Sequence, residues 1–333
     1  MTGALSADRH SPVMLGEVLA GLAPRDGGIY VDATFGAGGY AQAILEAASC
    51  SVIGIDRDPE ACRRAGKLVS RYPGRLRIIR GPFGAMVRLL GEIEIDAVDG
   101  VAFDLGVSSP QLDTPARGFS FRFNGPLDMR MDPDAGESAA DAVNALGEAE
   151  LASILKTYGE ERAARRIARA IVRARTGDRI ETTLRLAEIV RAVLPQGRER
   201  IDPATRTFQA LRIYVNDELG ELDRGLAAAE RVLRPGARLC VVAFHSLEDR
   251  RVKSFLRART GSRWAPSRHL PEAPATAPAP TFRLIDAGAI KPAAEEIAAN
   301  PRARSARLRV AERTAAPPWP APWPASDAGR RAA

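Results

Sequence analysis

The first hundred residues alternate between short apolar runs and stretches with helical spacing. Residues 28–34 (GIYVDAT) read as a buried strand, 35–39 (FGAGG) as a glycine turn, and 41–46 as the opening of a helix. Residues 51–56 (SVIGID) make a second strand that ends in an acid, and 59–68 suit a helix with Pro59 near its first turn. Residues 76–79 and 99–103 are the third and fourth strands. Strand and helix alternating at this spacing predict an α/β fold: a doubly wound, mostly parallel sheet with helices on both faces.

The period then changes. Residues 104–132 carry almost no helical or strand spacing but are rich in Gly, Pro, Asp, Ser and Phe. A loop this long inside a compact domain is usually functional or disordered. From about 138 to 201 the pattern is helical without strands. Ala163, Ile167, Ile171 and Ala174 share one helical face, and Arg162, Arg166, Arg169 and Arg173 share another. The sheet pattern resumes with helices over 203–219 and 222–233, a turn at 234–236, a fifth strand at 238–244, and late strands at 281–286 and 307–311. The expected organisation is one sheet domain in two parts, residues 1–125 and 203–313, interrupted by an all-helical insertion over 126–202. Residues 261–280, rich in Pro and Ala, read as a mobile loop, and 314–333, containing PPWPAPWP, as a disordered tail.

Composition narrows the picture. With 45% hydrophobic and 27% charged residues over 333 positions the chain is ordinarily globular. No apolar run approaches the ~20 residues of a membrane span. The first residues lack a signal-peptide layout, so a cytoplasmic location is expected. Cys50, Cys62 and Cys240 are odd in number and not in metal-ligand spacing, and His10, His245 and His269 are too few for a His-rich site. No metal is expected. A net charge of +7 favours an anionic partner. Only 4 of the 48 basic residues are Lys, however, a bias that looks like codon composition, so the placement of charge must decide.

The candidate chemistry lies at the strand ends. Gly36, Gly38 and Gly39 sit where a nucleotide-like ligand approaches backbone closely, and Asp56, 17 residues past Gly39, can accept both ribose hydroxyls of an adenosine. The alternative is that Asp56 caps the next helix. A dinucleotide would need the turn free for its pyrophosphate. Asp32 and Asp104 place carboxylates there, which repel phosphate and suit an ammonium or sulfonium. These acids favour S-adenosylmethionine over a nicotinamide cofactor, with Phe83 placed to flank the adenine. No His or Lys is evident for a hydride step, which argues against a dehydrogenase. A non-catalytic RNA-binding factor would need the basic helices but not an intact Asp56/Asp104 pocket.

HSPVMLGEVL (residues 10–19), DATFGAGGY (32–40), DRDPEA (56–61) and DLGVSSPQLD (104–113) occur in order. RGFSF, GPLDMRMD, TYGEERAARRIARAIV (157–172), PATRTFQALRIYVNDEL (203–219), FHSLEDRRVK (244–253) and NPRARSARLRVAER (300–313) follow them. Together these motifs resemble the bacterial ribosomal small-subunit RNA methyltransferase H family, also called MraW, over nearly the whole chain. The resemblance implies a class I, Rossmann-like methyltransferase fold with an inserted helical domain. It also implies methylation of N4 of a cytidine in 16S rRNA, in the decoding region (P site) of the small ribosomal subunit, using S-adenosylmethionine. Carried over position by position, the family's cofactor contacts fall on Gly38, Gly39, Tyr40, Asp56, Phe83, Asp104 and Gln111. Many members have His where this chain has Tyr40, so a side-chain contact there would change while a backbone contact would not.

Within that reading Asp104 organises the target amine, helped by Ser108 or Ser109 in DLGVSSPQ, a stretch resembling in place the Asp/Asn/Ser-Pro-Pro-aromatic motif of other amino-methyltransferases. Phe119, Phe121 and Phe123 either stack on a flipped base or anchor the loop to the core. Arg166 and Arg169 belong to a stripe that reads either as an RNA phosphate contact or as a solvated face. His245 reads as structural or RNA-facing. Arg302 and Arg304, with Arg307 and Arg309, read as phosphate contacts or as a half-buried edge strand. No protein partner is indicated.

Overall fold

The computed structural model describes residues 12–194, 202–261 and 278–320. Seven strands form one sheet: β1 (Ile29–Asp32), β2 (Ser51–Asp56), β3 (Leu76–Arg80), β4 (Val98–Asp104), β5 (Leu233–Ala243), β6 (Phe282–Leu284) and β7 (Arg307–Arg313). Their order is β3-β2-β1-β4-β5-β7-β6. The first five run parallel, while β7 is antiparallel to both β5 and β6. The mostly parallel sheet is therefore as the apolar runs predict.

The run VDGVAFD of β4 is buried at every position but its last, as a parallel strand covered on both faces must be. Successive side chains feed two cores. Val31, Ile53, Val101, Phe103, Leu239 and Val241 pack with the helices Met86–Gly91, Glu218–Val232 and Ser246–Arg259. Tyr30, Val52, Ala102, Cys240 and Val242 pack with the helices Leu15–Leu22 and Gly39–Ala47. Gly100 is required between them, since a Cβ there would lie 2.8 Å from the Tyr30 ring. Asp99 fastens the opposite end of the sheet. Burial alone would raise its pKa, but the Ile29 amide and the guanidinium groups of Arg25 and Arg234 hold it below the ordinary value.

The described residues divide into two compact units, one within 12–106 and 222–320, the other within 107–221. The junctions thus differ from the expected 126 and 203, because the segment after β4 belongs to the helical core. That core is built on the helices Ala139–Ala145, Glu148–Gly159, Ala164–Arg175, Thr183–Val193 and Thr205–Asn216. Phe119, Leu127, Met129 and Met131 pack into it. Asn216 holds the segment by donating to Met129 O (2.7 Å) and accepting from Met131 N (2.7 Å). The apparent loop also contains a helical turn, Ser109–Asp113, and a 3-10 turn, Pro115–Arg117.

Other departures have local causes. The helix expected over 59–68 is two short ones, Pro59–Arg64 and Gly66–Arg71. The next break falls at Asp217, which adopts φ 45, so the helices are Thr205–Asn216 and Glu218–Val232. Arg234-Pro235-Gly236 lies inside β5, where the register against β4 shifts between Val98 and Gly100. β7 is an interior strand, not an edge. Residues 314–320 of the expected tail are ordered: Trp319 donates its indole N–H to Ala279 O at 3.0 Å. Most of the Pro-rich 261–280 segment, the rest of the tail, His10 and His269 lie outside the described residues.

Candidate active site

The strand order reverses between β1 and β4, and in such sheets ligands bind beyond the carboxyl ends of the strands at that point. Three acids stand there. Asp32 ends β1, Asp56 ends β2 and Asp104 ends β4.

Asp32 is 1% exposed. Its Oδ2 accepts from Ala41 N at 3.1 Å and its Oδ1 from Thr34 N at 3.4 Å. Burial pushes its pKa up to about 7 against those two amides, and the Asp56 charge adds to the rise. Asp56 accepts from Gly36 N (2.7 Å) and Asp58 N (2.8 Å). Burial raises its pKa too, opposed by the same amides. The helix that follows is capped by Asp58, whose Oδ1 accepts from Glu60 N at 2.9 Å, so capping is not the task of Asp56.

Asp104 differs. Its backbone N–H donates to Thr34 Oγ1 at 2.6 Å, which fixes the strand end against the glycine turn. Its Oδ1 is shielded from solvent and has no hydrogen-bond partner among the described residues. Burial, then the charges of Asp32 and Glu248, drive its pKa well above the carboxylate range. Buried polar atoms are almost always paired, so an unpaired carboxylate oxygen among other acids marks a place for an outside donor or cation.

The glycine turn is tight for a steric reason. Gly38 has φ +80, and a Cβ on it would come within 2.6 Å of the Phe35 ring. A Cβ on Gly39 would lie 2.1 Å from Pro12, so the segment entering the first helix lies over the turn. The Tyr40 side chain is buried, and its hydroxyl donates to Val13 O. That commitment leaves Tyr40 its backbone for any ligand contact. Phe83 meets Phe103 edge to face at 5.2 Å, and Gly225 leaves room for its ring.

The remaining sequence-derived residues scatter. Ser108, Ser109 and Gln111 open the helical turn of the other unit, where Ser108 N donates to Gln111 Oε1 at 3.0 Å. The three phenylalanines have separate fates. Phe119 is core, Phe121 packs edge to face on Phe208 at 4.8 Å, and Phe123 is 65% exposed. His245 caps the helix Ser246–Arg259, its Nδ1 accepting from Glu248 N at 3.4 Å. Arg302 and Arg304 are exposed on the turn Pro301–Ser305, while Arg309 pairs with Asp249 at 2.8 Å. Sequence reasoning missed Thr34. Its only signal was a small hydroxyl residue two places after Asp32, and its partner lies 70 positions away.

The raised pKa of Asp32 gives a stability test. Between pH 3.8 and about 7 the folded state keeps a proton that the unfolded chain has lost, so stability should fall as pH rises through that window and level off above it. The full span corresponds to roughly 4 kcal/mol. In Asp32→Asn the slope of urea-unfolding free energy against pH over this window should flatten; an unchanged slope would remove Asp32 as its source.

The order β3-β2-β1-β4-β5-β7-β6, with a glycine turn and acids at the carboxyl ends of β1, β2 and β4, defines a Rossmann-like methyltransferase. Among the described residues no helix is long and apolar enough to cross a membrane. The sequence matches the MraW methylase family over residues 7–314, and the chain belongs to that family. It is similar to "Ribosomal RNA small subunit methyltransferase H" of Paramagnetospirillum magneticum, 59% identical over 95% of this chain and 99% of the relative. The protein of the same name from Rhodospirillum centenum is 63% identical over 92% of this chain and 93% of the relative.

Proposed function

We propose that this enzyme methylates the N4 amine of a cytidine in the decoding region of 16S rRNA, in the cytoplasm, with S-adenosylmethionine as donor. The relatives' name supports a small-subunit rRNA substrate. The quoted motifs support the cytidine, and the unpaired Asp104 Oδ1 carries the site.

The residues fit the cofactor. Asp56 suits the ribose hydroxyls, the turn of Gly36, Gly38 and Gly39 admits close backbone approach, and the acids, held partly protonated by burial, ionise more readily beside a bound cation. When bound, S-adenosylmethionine supplies an electrophilic methyl group on a sulfonium. The exocyclic amine of cytosine is a weak nucleophile because its lone pair is delocalised into the ring. Asp104 Oδ1 accepts a hydrogen bond from that amine, turning the lone pair outward, and stabilises the positive charge that develops on nitrogen. The surplus proton then passes to water, so no strong base is required. Because burial holds the Asp104 pKa high, its acceptor form grows as pH rises.

The test is direct. Small ribosomal subunits from a strain lacking this modification are incubated with the protein and labelled S-adenosylmethionine, and their nucleosides are identified by mass spectrometry. N4-methylcytidine within the decoding region is the expected product. Label on another nucleoside, or none despite cofactor binding, would overturn the assignment.

A further inference from the structure

We propose that the exposed arginine face of the helix Ala164–Arg175, extended by Arg162, is a phosphate-binding ridge for the RNA substrate. This rests on the rRNA reading above and adds where the nucleic-acid backbone is held. The helix reads ARRIARAIVRAR, with five Arg and no acid. Its buried side is Ala164, Ile167, Ala168 and Ile171, set in the helical core. Arg162, Arg165, Arg166, Arg169 and Arg173 are all exposed. At 3.6 residues per turn the four on the helix, Arg165, Arg166, Arg169 and Arg173, fall within an arc of about 100° along roughly 12 Å of axis, and Arg162 lies in the turn just before it.

Such a face is unfavourable by itself. Like charges three and four apart on a helix repel, each pair costing a few tenths of a kcal/mol. Some helical arginines of this protein have an acid beside them, as Arg64 meets Glu60, Arg88 meets Glu92 and Arg185 meets Glu188, while Arg63, Arg231 and Arg257 stand singly on three different helices. On this face, among the described residues, Arg169 alone has one, Glu148 at 3.5 Å. Arg166 donates to Val193 O, and the nearby Glu161 carboxylate is buried, accepting from Ala163 N. Among the described residues the side chains of Arg162, Arg165 and Arg173 make no ion pair or hydrogen bond, although the Arg173 carbonyl accepts from Thr176 Oγ1. Arg175 lies outside the arc and ties the fold by donating to Val143 O and Leu146 O. A row of unneutralised guanidinium groups on a rigid, well-packed helix is complementary to a chain of phosphates, which pays for the repulsion by releasing counterions.

The experiment measures binding of the full chain to purified 16S rRNA as a function of salt, with no methyl transfer required. The ridge triple variant Arg162→Gln/Arg165→Gln/Arg173→Gln is compared with Arg63→Gln/Arg231→Gln/Arg257→Gln, three exposed arginines of the other unit. The ridge variant should bind at least tenfold more weakly, with the slope of log affinity against log salt flattened by about 2. The control should keep nearly the wild-type slope, and Arg→Lys at the three ridge positions should restore it. Equal flattening in both triples would reduce the effect to net charge and overturn the ridge, as would an unchanged slope in the ridge triple. A wild-type protein that binds rRNA through the ridge but yields no methylcytidine would instead overturn the proposed reaction.

Discussion

Replacing Asp104 with alanine should lower methyl transfer roughly 10²–10³-fold while leaving the protein as stable as before, or more so. The two effects separate because of how Asp104 is held. Its Oδ1 has no partner, so removing the side chain orphans nothing there, and it deletes a buried carboxyl whose ionisation is opposed by Asp32 and Glu248. The contact that positions the strand end, Asp104 N to Thr34 Oγ1, is made by backbone and survives. Single-turnover rates with saturating rRNA and cofactor, read beside a thermal melt, check both halves. Asp104→Asn keeps an acceptor of similar shape without titrating. It should retain part of the rate and lose the rise with pH. If Asp104→Ala melted far below the wild type, the residue would be structural and the assignment of the amine acceptor would fall.

Replacing Glu230 with alanine should destabilise the sheet unit by about 3–5 kcal/mol, a fall in Tm on the order of 10 °C for a unit of this size. Glu230 and Arg259 are 1% and 2% exposed. Arg259 Nε donates to both carboxylate oxygens, at 2.8 and 2.9 Å, and Thr281 Oγ1 donates to Oε1 at 2.6 Å. The guanidinium also lies 4.2 Å from the Trp319 ring and 5.0 Å from that of Phe255. Without Glu230 the Arg259 charge stays buried against apolar rings with its anion gone. Because the penalty belongs to the uncompensated charge, Glu230→Leu combined with Arg259→Met should recover most of the loss. A melt of the single variant within 2 °C of wild type would show that the charge finds another route to solvent.

The sheet was readable in the sequence where burial writes a plain signal. β1, β2 and β4 are covered on both faces and so appear as unbroken apolar runs, and Asp32, Asp56 and Asp104 punctuate their ends. The helix Ala164–Arg175 was readable because its two faces differ in every turn. What stayed hidden depends on contacts distant in sequence. The segment after β4 looked like a free loop because its anchors, Asn216 and the amides it serves, lie 85 and 87 positions apart. Alternate spacing of Phe119, Phe121 and Phe123 could not tell direction in an irregular backbone, and the three point to core, flank and solvent. Likewise the acids of the site were visible, but not that Asp56 is satisfied by two amides while Asp104 Oδ1 is left alone. Pro235-Gly236 reads as a turn by local chemistry and is instead drawn into β5 by pairing with β4.

The interruption of the sheet unit by the helical one has a consequence for synthesis. Gly100 of β4 pairs with Arg238 of β5, a separation of 238 − 100 = 138 residues. At translation rates of about 5–20 residues per second the partner strand emerges on the order of ten seconds after β4. Throughout that interval β4 has one neighbour, β1, and presents its other row of amides and carbonyls bare, the kind of edge that pairs with whatever strand it meets. The nascent chain is therefore most exposed to misassembly while its helical unit is being made, and shielding one strand edge is the service it would need from a chaperone at the ribosome exit.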